Sequence, residues 1–232
     1  MSGPSGATVA PAEVAARVAA VRERIAAAGG DPAAVRLVAV TKGFGIEVVR
    51  AALAAGLVDL GENYAQELEA KATGLGPDPD HPPRWHFIGR LQRNKVRRIA
   101  DQVALWQSVD RLSLGTEIAK RAPGASVLVQ LDLTGEPNKG GCPPGSLPDL
   151  VQGLRDLGLD VRGLMGIGPL GEPEEARSGF RELSRLGDEH GLVERSMGMS
   201  ADLEVAVEEG ATMIRVGSGL FGPRPGSPRA RH

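Results

Sequence analysis

A lysine ends the first strongly apolar run of the chain, and lysine is a residue type that can attack a carbonyl group. In the stretch "LVAVTKGFGIE" (37–47), five apolar or small residues precede Lys42, and no acidic residue follows before Glu47. A lysine held in a partly apolar pocket loses its proton more readily and becomes a nucleophilic amine. A lysine at a strand end can equally extend into water. The strand alone leaves both interpretations open.

Polar residues also follow the next two apolar runs. Asn63 and Tyr64 stand in "GENYAQE", and His86 lies within "WHFIGRLQRNK". Asn63 either faces a ligand or caps the helix that follows it. A lone histidine in an apolar strand is more often a hydrogen-bonded core residue than a catalytic one, and this is the default interpretation of His86.

Two stretches near the C-terminus predict an anion site. "SMGMS" leads into "ADLEVAVEEG", so Ser200 is expected to cap a helix whose first turn presents free backbone N–H groups. "RVGSG" supplies Gly217, Ser218 and Gly219, where missing side chains let backbone amides approach an anion. A phosphate cradle opposite a lysine indicates a phosphorylated carbonyl compound held as a Schiff base.

Arg215 lies two residues before Gly217, so its side chain should share the direction of that residue on the strand. It could form a structural ion pair with a buried acid or face the ligand. The direction of the side chain favours neither.

The elements that must position these residues alternate regularly along the chain. Short runs rich in Val, Ile and Leu alternate with longer amphipathic segments, a pattern typical of βαβ units and a parallel sheet. There are eight such apolar runs, and seven helical segments separate them. The apolar runs are 35–42, 57–63, 85–90, 104–110, 126–134, 161–168, 194–200 and 212–222. The sequence therefore predicts an α/β fold, a single (β/α)8 TIM-type barrel. An open doubly wound sheet is disfavoured because no glycine-rich fingerprint follows the first strand.

Domain boundaries follow from the same pattern. Val14, Val18, Val21 and Ile25 share one face of an extra N-terminal helix over 11–28. We expect a disordered tail over 1–10, the barrel over 11–222 and a disordered basic tail over 223–232. The Pro- and Gly-rich stretches 74–84 and 134–146 are predicted to be irregular loops.

Composition excludes several classes of protein. The 232 residues carry 27 Lys and Arg against 29 Asp and Glu, so the net charge does not point to a nucleic-acid partner. Cys142 is the only cysteine, which suits a reducing compartment, and no apolar run is long enough to span a membrane. We expect a soluble cytoplasmic protein. Cys142 receives no role, and the basic segment 90–98 is interpreted as a solvated helix face rather than a second phosphate-binding surface.

Several motifs together resemble one known family. The stretches "LVAVTK", "GENYAQE", "WHFIGRLQRNK", "VRGLMGI" and "SMGMSADLEVAVEEGATMIRVGSGLFGPR" are similar to those of the pyridoxal 5′-phosphate (PLP) homeostasis proteins. These proteins are single-domain relatives of the barrel domain of bacterial alanine racemase. The resemblance implies fold type III of the PLP proteins without the C-terminal β domain. One departure is the "GFG" after Lys42, where many members have a polar pair followed by a proline.

The resemblance also implies roles for individual residues. PLP would be bound covalently to Lys42 as a Schiff base. Ser200, Gly217 and Ser218 would hold its phosphate, and Arg215 would face its pyridine nitrogen, which favours the ligand over the ion pair. Asn63 and His86 would line the cofactor site.

The implied function is PLP homeostasis: the protein holds PLP and supplies or buffers it without substantial catalytic turnover. The partners would be PLP and apo forms of PLP-dependent enzymes, and we expect a monomer because the β domain that forms the racemase dimer is missing.

The alternative is a PLP-dependent amino-acid racemase, which needs a second acid/base opposite the lysine. The only tyrosine, Tyr64, is expected on the lysine's side of the barrel. A Schiff-base aldolase ranks last, because Glu62 is the only acid at the first three strand ends.

Overall fold

Eight parallel strands form a closed barrel in the order of the sequence, as the alternating pattern predicts. The computed structural model describes residues 9–76, 82–135 and 140–224. The strands are β1 Arg36–Val40, β2 Asp59–Glu62, β3 Arg84–Phe87, β4 Val103–Val109, β5 Ser126–Gln130, β6 Asp160–Met165, β7 Glu194–Ser196 and β8 Met213–Val216. Because β8 pairs with β1, the barrel has no open edge.

Helices cover the outside of the barrel. They are α1 Pro11–Ala27, α2 Ile46–Ala54, α3 Ala65–Leu75, α4 Arg93–Ile99, α5 Leu112–Arg121, α6 Leu147–Asp156, α7 Arg177–Glu189, α8 Leu203–Glu208 and α9 Ser218–Phe221. Short 3₁₀ turns at Pro144–Ser146 and Pro173–Ala176 precede α6 and α7. No helix of the described residues has the length and apolar character that crossing a membrane requires.

The core has two layers because successive side chains of a strand point to opposite faces. One face fills the barrel interior, and its apolar part consists of Val38, Leu105, Leu128, Met165 and Met213. The other face packs beneath the helices in one continuous apolar layer that includes Leu37, Ala39 and Leu60. This division explains why the strand runs are almost continuously apolar.

The N-terminal helix α1 buries the predicted stripe of Val14, Val18, Val21 and Ile25. It lies outside the barrel and packs against α2, α8 and α9. Val9, within the predicted tail 1–10, is also buried. Residues 1–8 and 225–232 of the two predicted tails lie outside the described residues, as do 77–81 and 136–139 of the predicted loops.

The start of α8 differs from the prediction that Ser200 caps this helix. The helix begins at Leu203, and Asp202 occupies the N-cap position. The Asp202 carboxylate accepts a hydrogen bond of 2.6 Å from the Met199 backbone N–H, which closes a turn around Ser200. The prediction that Ser200 is the N-cap is therefore wrong, because the helix starts two residues later and Asp202 takes that position.

Candidate functional site

Five of the predicted site residues line one cavity at the C-terminal mouth of the barrel. The cavity has a volume of about 290 Å³, close to the lower end of ordinary small-molecule pockets. Its polar lining comes from the ends of β1, β7 and β8: Lys42, Ser200, Arg215, Gly217 and Ser218. Arg224 joins them, a residue that the sequence reading placed in the C-terminal tail.

Lys42 follows β1 and is half-buried at this cavity. Burial lowers the pKa of its ammonium, and the positive charges of Arg224 and Arg215 lower it further. Glu62 and Glu67 oppose this shift without reversing it. The pKa of Lys42 therefore lies below its ordinary value, which increases the fraction of nucleophilic amine at neutral pH.

A buried ionic network holds the backbone on both sides of Lys42. Lys71 donates to Glu62 Oε1 at 2.6 Å and to the Thr41 carbonyl at 2.8 Å. The Thr41 hydroxyl donates to the same Glu62 oxygen at 2.6 Å. Burial raises the pKa of Glu62, although Lys71 and Thr41 counteract the shift. On the other side, the Gly43 N–H donates to Glu67 Oε2 at 2.7 Å.

Sequence reasoning missed Lys71, although one signal was available. Lys71 follows Glu67 by four residues on α3, which places the two side chains on the same helix face. Nothing in the local sequence shows that this face turns towards the end of β1.

The β7 and β8 side of the cavity provides an anion cradle, formed by Ser200, Gly217, Ser218 and Gly219. A Cβ atom at Gly219 would lie 2.9 Å from Val216 Cγ1 and 3.2 Å from Ser200 Oγ, so a side chain has no room there. A Cβ atom at Gly217 would lie 3.2 Å from the Val40 carbonyl oxygen. The hydroxyls of Ser200 and Ser218 have no hydrogen-bond partner among the described residues. Backbone and hydroxyl donors can therefore approach a phosphate closely.

Arg215 is a buried cation, only 4% exposed, at the floor of the cavity. Its guanidinium donates to the Ser196 carbonyl at 2.7 Å, the Ser196 hydroxyl at 2.8 Å and the Gly166 carbonyl at 2.8 Å. Burial lowers its pKa to about 10, so it stays charged at neutral pH. Within the described part of the chain it forms no ion pair with a carboxylate, and the structural ion pair considered for it is not found.

Asn63 and His86 lie apart from these five residues. Asn63 lines a neighbouring cavity of about 720 Å³ together with Tyr64, Arg90 and Lys95, and its buried Oδ1 has no hydrogen-bond partner within the described residues. His86 is buried inside the barrel, with Nε2 2.9 Å from Asp59 Oδ1 and Nδ1 2.7 Å from Gln107 Nε2. It is therefore a hydrogen-bonded core residue in this structure.

The residues of the Lys42 cavity fit a small phosphorylated carbonyl compound. The Lys42 amine, with its lowered pKa, faces the same space as the anion cradle, whose two serine hydroxyls have no hydrogen-bond partner in the part of the protein that the structure describes. The buried Arg215 guanidinium forms no direct ion pair among the described residues, which favours a ligand with an electron-rich acceptor atom, since an unpaired buried charge is costly.

The fold and this cavity define a barrel of the alanine racemase type. Residues 10–225 match the family model described as "Alanine racemase, N-terminal domain". The chain is 44% identical over 222 residues to the pyridoxal phosphate homeostasis protein of Pseudomonas aeruginosa, covering 92% of this chain and 95% of that protein. It is 42% identical over 213 residues to the protein of the same name from Deinococcus radiodurans, covering 90% and 99%.

A solved structure supports the same conclusion. PipY of Synechococcus elongatus, solved with PLP bound, superposes with a TM-score of 0.79 at 35% identity, covering 90% of this chain and all of PipY. The chain therefore belongs to the pyridoxal phosphate homeostasis protein family.

Proposed function

We propose that this protein binds PLP in the Lys42 cavity and serves intracellular PLP homeostasis, without substantial turnover of a substrate. The observation that carries the proposal is the meeting of Lys42, the Gly217 cradle and buried Arg215 in one cavity of about 290 Å³. Relatives at 44% and 42% identity are named pyridoxal phosphate homeostasis proteins, and PipY was solved with PLP bound.

Each residue has a distinct part in this proposal. Lys42 attaches PLP covalently, because the cofactor supplies an aldehyde that reacts with primary amines. Ser200, Gly217 and Ser218 hold the phosphate, and Arg215 faces the pyridine nitrogen. Asn63 lines the neighbouring cavity and His86 lies in the barrel interior, so the proposal gives neither residue a direct contact with the cofactor.

The site favours a carrier over a racemase. A racemase needs acid/base groups on both faces of the substrate carbon. Among the described residues that line the Lys42 cavity, the ionisable side chains are Lys42, Arg215 and Arg224. Tyr64 is 57% exposed and lines the neighbouring cavity instead.

Trapping the adduct tests the binding proposal. The purified protein is incubated with PLP, reduced with borohydride, digested and mapped by mass spectrometry. We expect the adduct on the peptide that carries Lys42, together with a visible absorbance band that borohydride removes. Lys42→Arg, which keeps the charge, should lose both signals. An adduct spread over surface lysines, unchanged in Lys42→Arg, would refute the assignment.

Two further assays separate carrier from enzyme. The loaded protein is incubated with L-alanine or D-alanine, and optical purity is followed over many equivalents. Retained optical purity supports the carrier, whereas sustained racemisation overturns it. Transfer of PLP to an apoenzyme faster than its release into buffer would support supply by contact.

We also propose that the protein is a cytoplasmic monomer whose partners are apo forms of PLP-dependent enzymes. The buried single cysteine, Cys142, is compatible with a reducing compartment. Burial raises the pKa of the Cys142 thiol to about 11, so it carries little thiolate at neutral pH. Analytical ultracentrifugation with and without PLP tests the monomer, and a dimer under both conditions would contradict it.

A further inference from the structure

A chain of buried polar side chains crosses the barrel interior from Arg215 to Asp59. Arg215 donates to Ser196 Oγ at 2.8 Å, and Ser196 Oγ donates to Gln107 Oε1 at 2.6 Å. Gln107 Nε2 lies 2.7 Å from His86 Nδ1, and His86 Nε2 lies 2.9 Å from Asp59 Oδ1. These five residues come from β8, β7, β4, β3 and β2, so the chain of hydrogen bonds runs from the cavity across the barrel interior. We call the hydrogen-bonded chain Arg215–Ser196–Gln107–His86–Asp59 the relay.

The chemistry of the two ends gives the relay one direction. A guanidinium can only donate hydrogen bonds, and an ionised carboxylate can only accept them. Gln107 Nε2 also points at Met213 Sδ, 3.0 Å away, and a thioether accepts but cannot donate. The Gln107 amide nitrogen must therefore face His86, so His86 accepts at Nδ1 and donates from Nε2 to Asp59. Every donor points from Arg215 towards Asp59.

Asp59 is anchored at the far end of the relay. Its second oxygen accepts a hydrogen bond of 2.6 Å from the Arg84 guanidinium. Burial raises the pKa of Asp59, but the hydrogen bonds from His86 and Arg84 outweigh burial and keep that pKa below its usual value. The carboxylate therefore stays ionised at neutral pH and remains an acceptor.

The relay occupies space that apolar side chains fill elsewhere in the interior, and buried polar groups are costly unless they are fully bonded. Its cavity end is Arg215, which uses three of its five N–H groups for bonds within the described protein. We propose that Ser196, Gln107, His86 and Asp59 are positioning residues that fix the Arg215 guanidinium and leave its other two N–H groups for the ligand. The role towards PLP rests on the proposed function, whereas the ordering of Arg215 does not.

Ser196 links Arg215 to the rest of the relay, since its hydroxyl accepts a hydrogen bond from Arg215 and donates one to Gln107. Ser196→Ala leaves Gln107 Oε1 without its partner and gives the guanidinium one fixed acceptor fewer. The matched control is Ser108→Ala, which removes another buried serine hydroxyl, bonded at 2.5 Å to the Gly89 carbonyl outside the relay. Gln107→Met breaks the relay at a second place with little change in volume.

The first measurement uses the protein without PLP. Side-chain ¹⁵N NMR reports rotation of the Arg215 guanidinium and the tautomer of His86. We expect resolved, slowly exchanging Arg215 signals and a protonated Nε2 on His86 in the wild type and in Ser108→Ala. In Ser196→Ala and Gln107→Met the Arg215 signals should broaden or average. Identical Arg215 signals in all four proteins would overturn the proposal.

The second measurement is PLP binding, followed by visible absorbance. We expect Ser196→Ala and Gln107→Met to bind about tenfold more weakly and to shift the absorbance maximum, with Ser108→Ala unchanged. Equal affinity and spectra in all variants, despite altered Arg215 signals, would refute the role towards PLP. A wild type that binds no PLP but shows the NMR differences would refute the proposed function and leave the ordering of Arg215 standing.

Discussion

At the scale of single residues, Lys42 is governed by opposing charges. Arg224 and Arg215 favour its neutral amine, whereas Glu62 and Glu67 favour its ammonium form. Burial decides the balance, because it is the largest influence and lowers the pKa. Arg224, which lies beyond the last strand, therefore helps to lower the pKa of a lysine at the end of the first strand.

Changing these charges should move the pKa of Lys42 in predictable directions. Arg224→Gln removes a cation, so the pKa should rise and the amine should react more slowly at neutral pH. Glu67→Gln removes an anion while keeping an acceptor for the Gly43 N–H, so the pKa should fall further. The pH dependence of Lys42 acetylation in the protein without PLP, followed by mass spectrometry, measures both. Shifts of the same sign in the two variants would contradict the electrostatic account.

Lys71 and Glu62 form a buried pair whose loss should be costly. Their side chains are 7% and 0% exposed, and Lys71→Met leaves the Glu62 carboxylate buried without its cation. Removing one partner of such a pair costs about 3–5 kcal/mol of unfolding free energy. Urea unfolding measures this loss, and the double variant Lys71→Met with Glu62→Gln should recover part of it.

An exposed pair provides the control for Lys71. Arg50 forms an ion pair of 2.7 Å with Glu47, with half of its side chain exposed to solvent. Arg50→Met should cost less than about 1 kcal/mol. If Lys71→Met costs no more than Arg50→Met, the buried network does not stabilise the Lys42 segment.

At the scale of elements, α1 does more than cover one side of the barrel. Arg24 donates a hydrogen bond of 3.0 Å to the Ser200 carbonyl and forms an ion pair of 2.5 Å with Glu204 of α8. Arg17 donates to the Leu220 carbonyl of α9 at 3.0 Å. Helix α1, outside the barrel, therefore binds both the Ser200 loop and helix α9, the two segments that form the anion cradle.

This link predicts a remote effect on phosphate binding. Arg24→Met should loosen the Ser200 loop and weaken the binding of PLP by up to about tenfold, equivalent to about 1.4 kcal/mol. Arg22→Met is the matched control, because Arg22 lies on the same helix but donates to the Pro32 carbonyl at 2.5 Å. Titration by visible absorbance gives both affinities. Equal losses in the two variants would indicate a general effect on α1 rather than on the cradle.

The elements also show how far sequence reasoning reaches. Alternating apolar and amphipathic segments predicted the barrel correctly, because burial on both faces of a parallel strand leaves a strong local signal. Lys42, Ser200, Arg215 and Gly217 share a cavity because strand ends converge by geometry. The relay through Gln107 and Ser196 could not be predicted, since each of its members looks like an isolated polar residue and their contacts depend on barrel register. Arg224 was missed because the tail shows no periodicity.

At the scale of the whole molecule, different parts of the closed barrel provide its stability and its ligand cavity. Its interior and outer layers provide stability, while the residues at the C-terminal ends of β1, β7 and β8 form the cavity. Lys42 and the cradle approach this cavity from β1 on one side and from β7 and β8 on the other, and β1 pairs directly with β8. A ligand that contacts both Lys42 and the anion cradle therefore bridges the first strand and the last two strands. Its binding should raise the free energy of unfolding of the whole barrel.

Comparing two ligands separates the contributions of the two groups to global stability. A ligand that binds only the folded state adds about 2.7 kcal/mol at one hundred times its Kd. PLP should raise the urea midpoint more than pyridoxal at the same concentration, because pyridoxal leaves the Ser200 and Gly217 cradle without an anion. In Lys42→Arg, PLP should still stabilise the protein, but less than in the wild type, since only non-covalent contacts remain. Equal midpoints with PLP and pyridoxal would argue against the phosphate cradle, and an undiminished PLP effect in Lys42→Arg would argue against the covalent attachment.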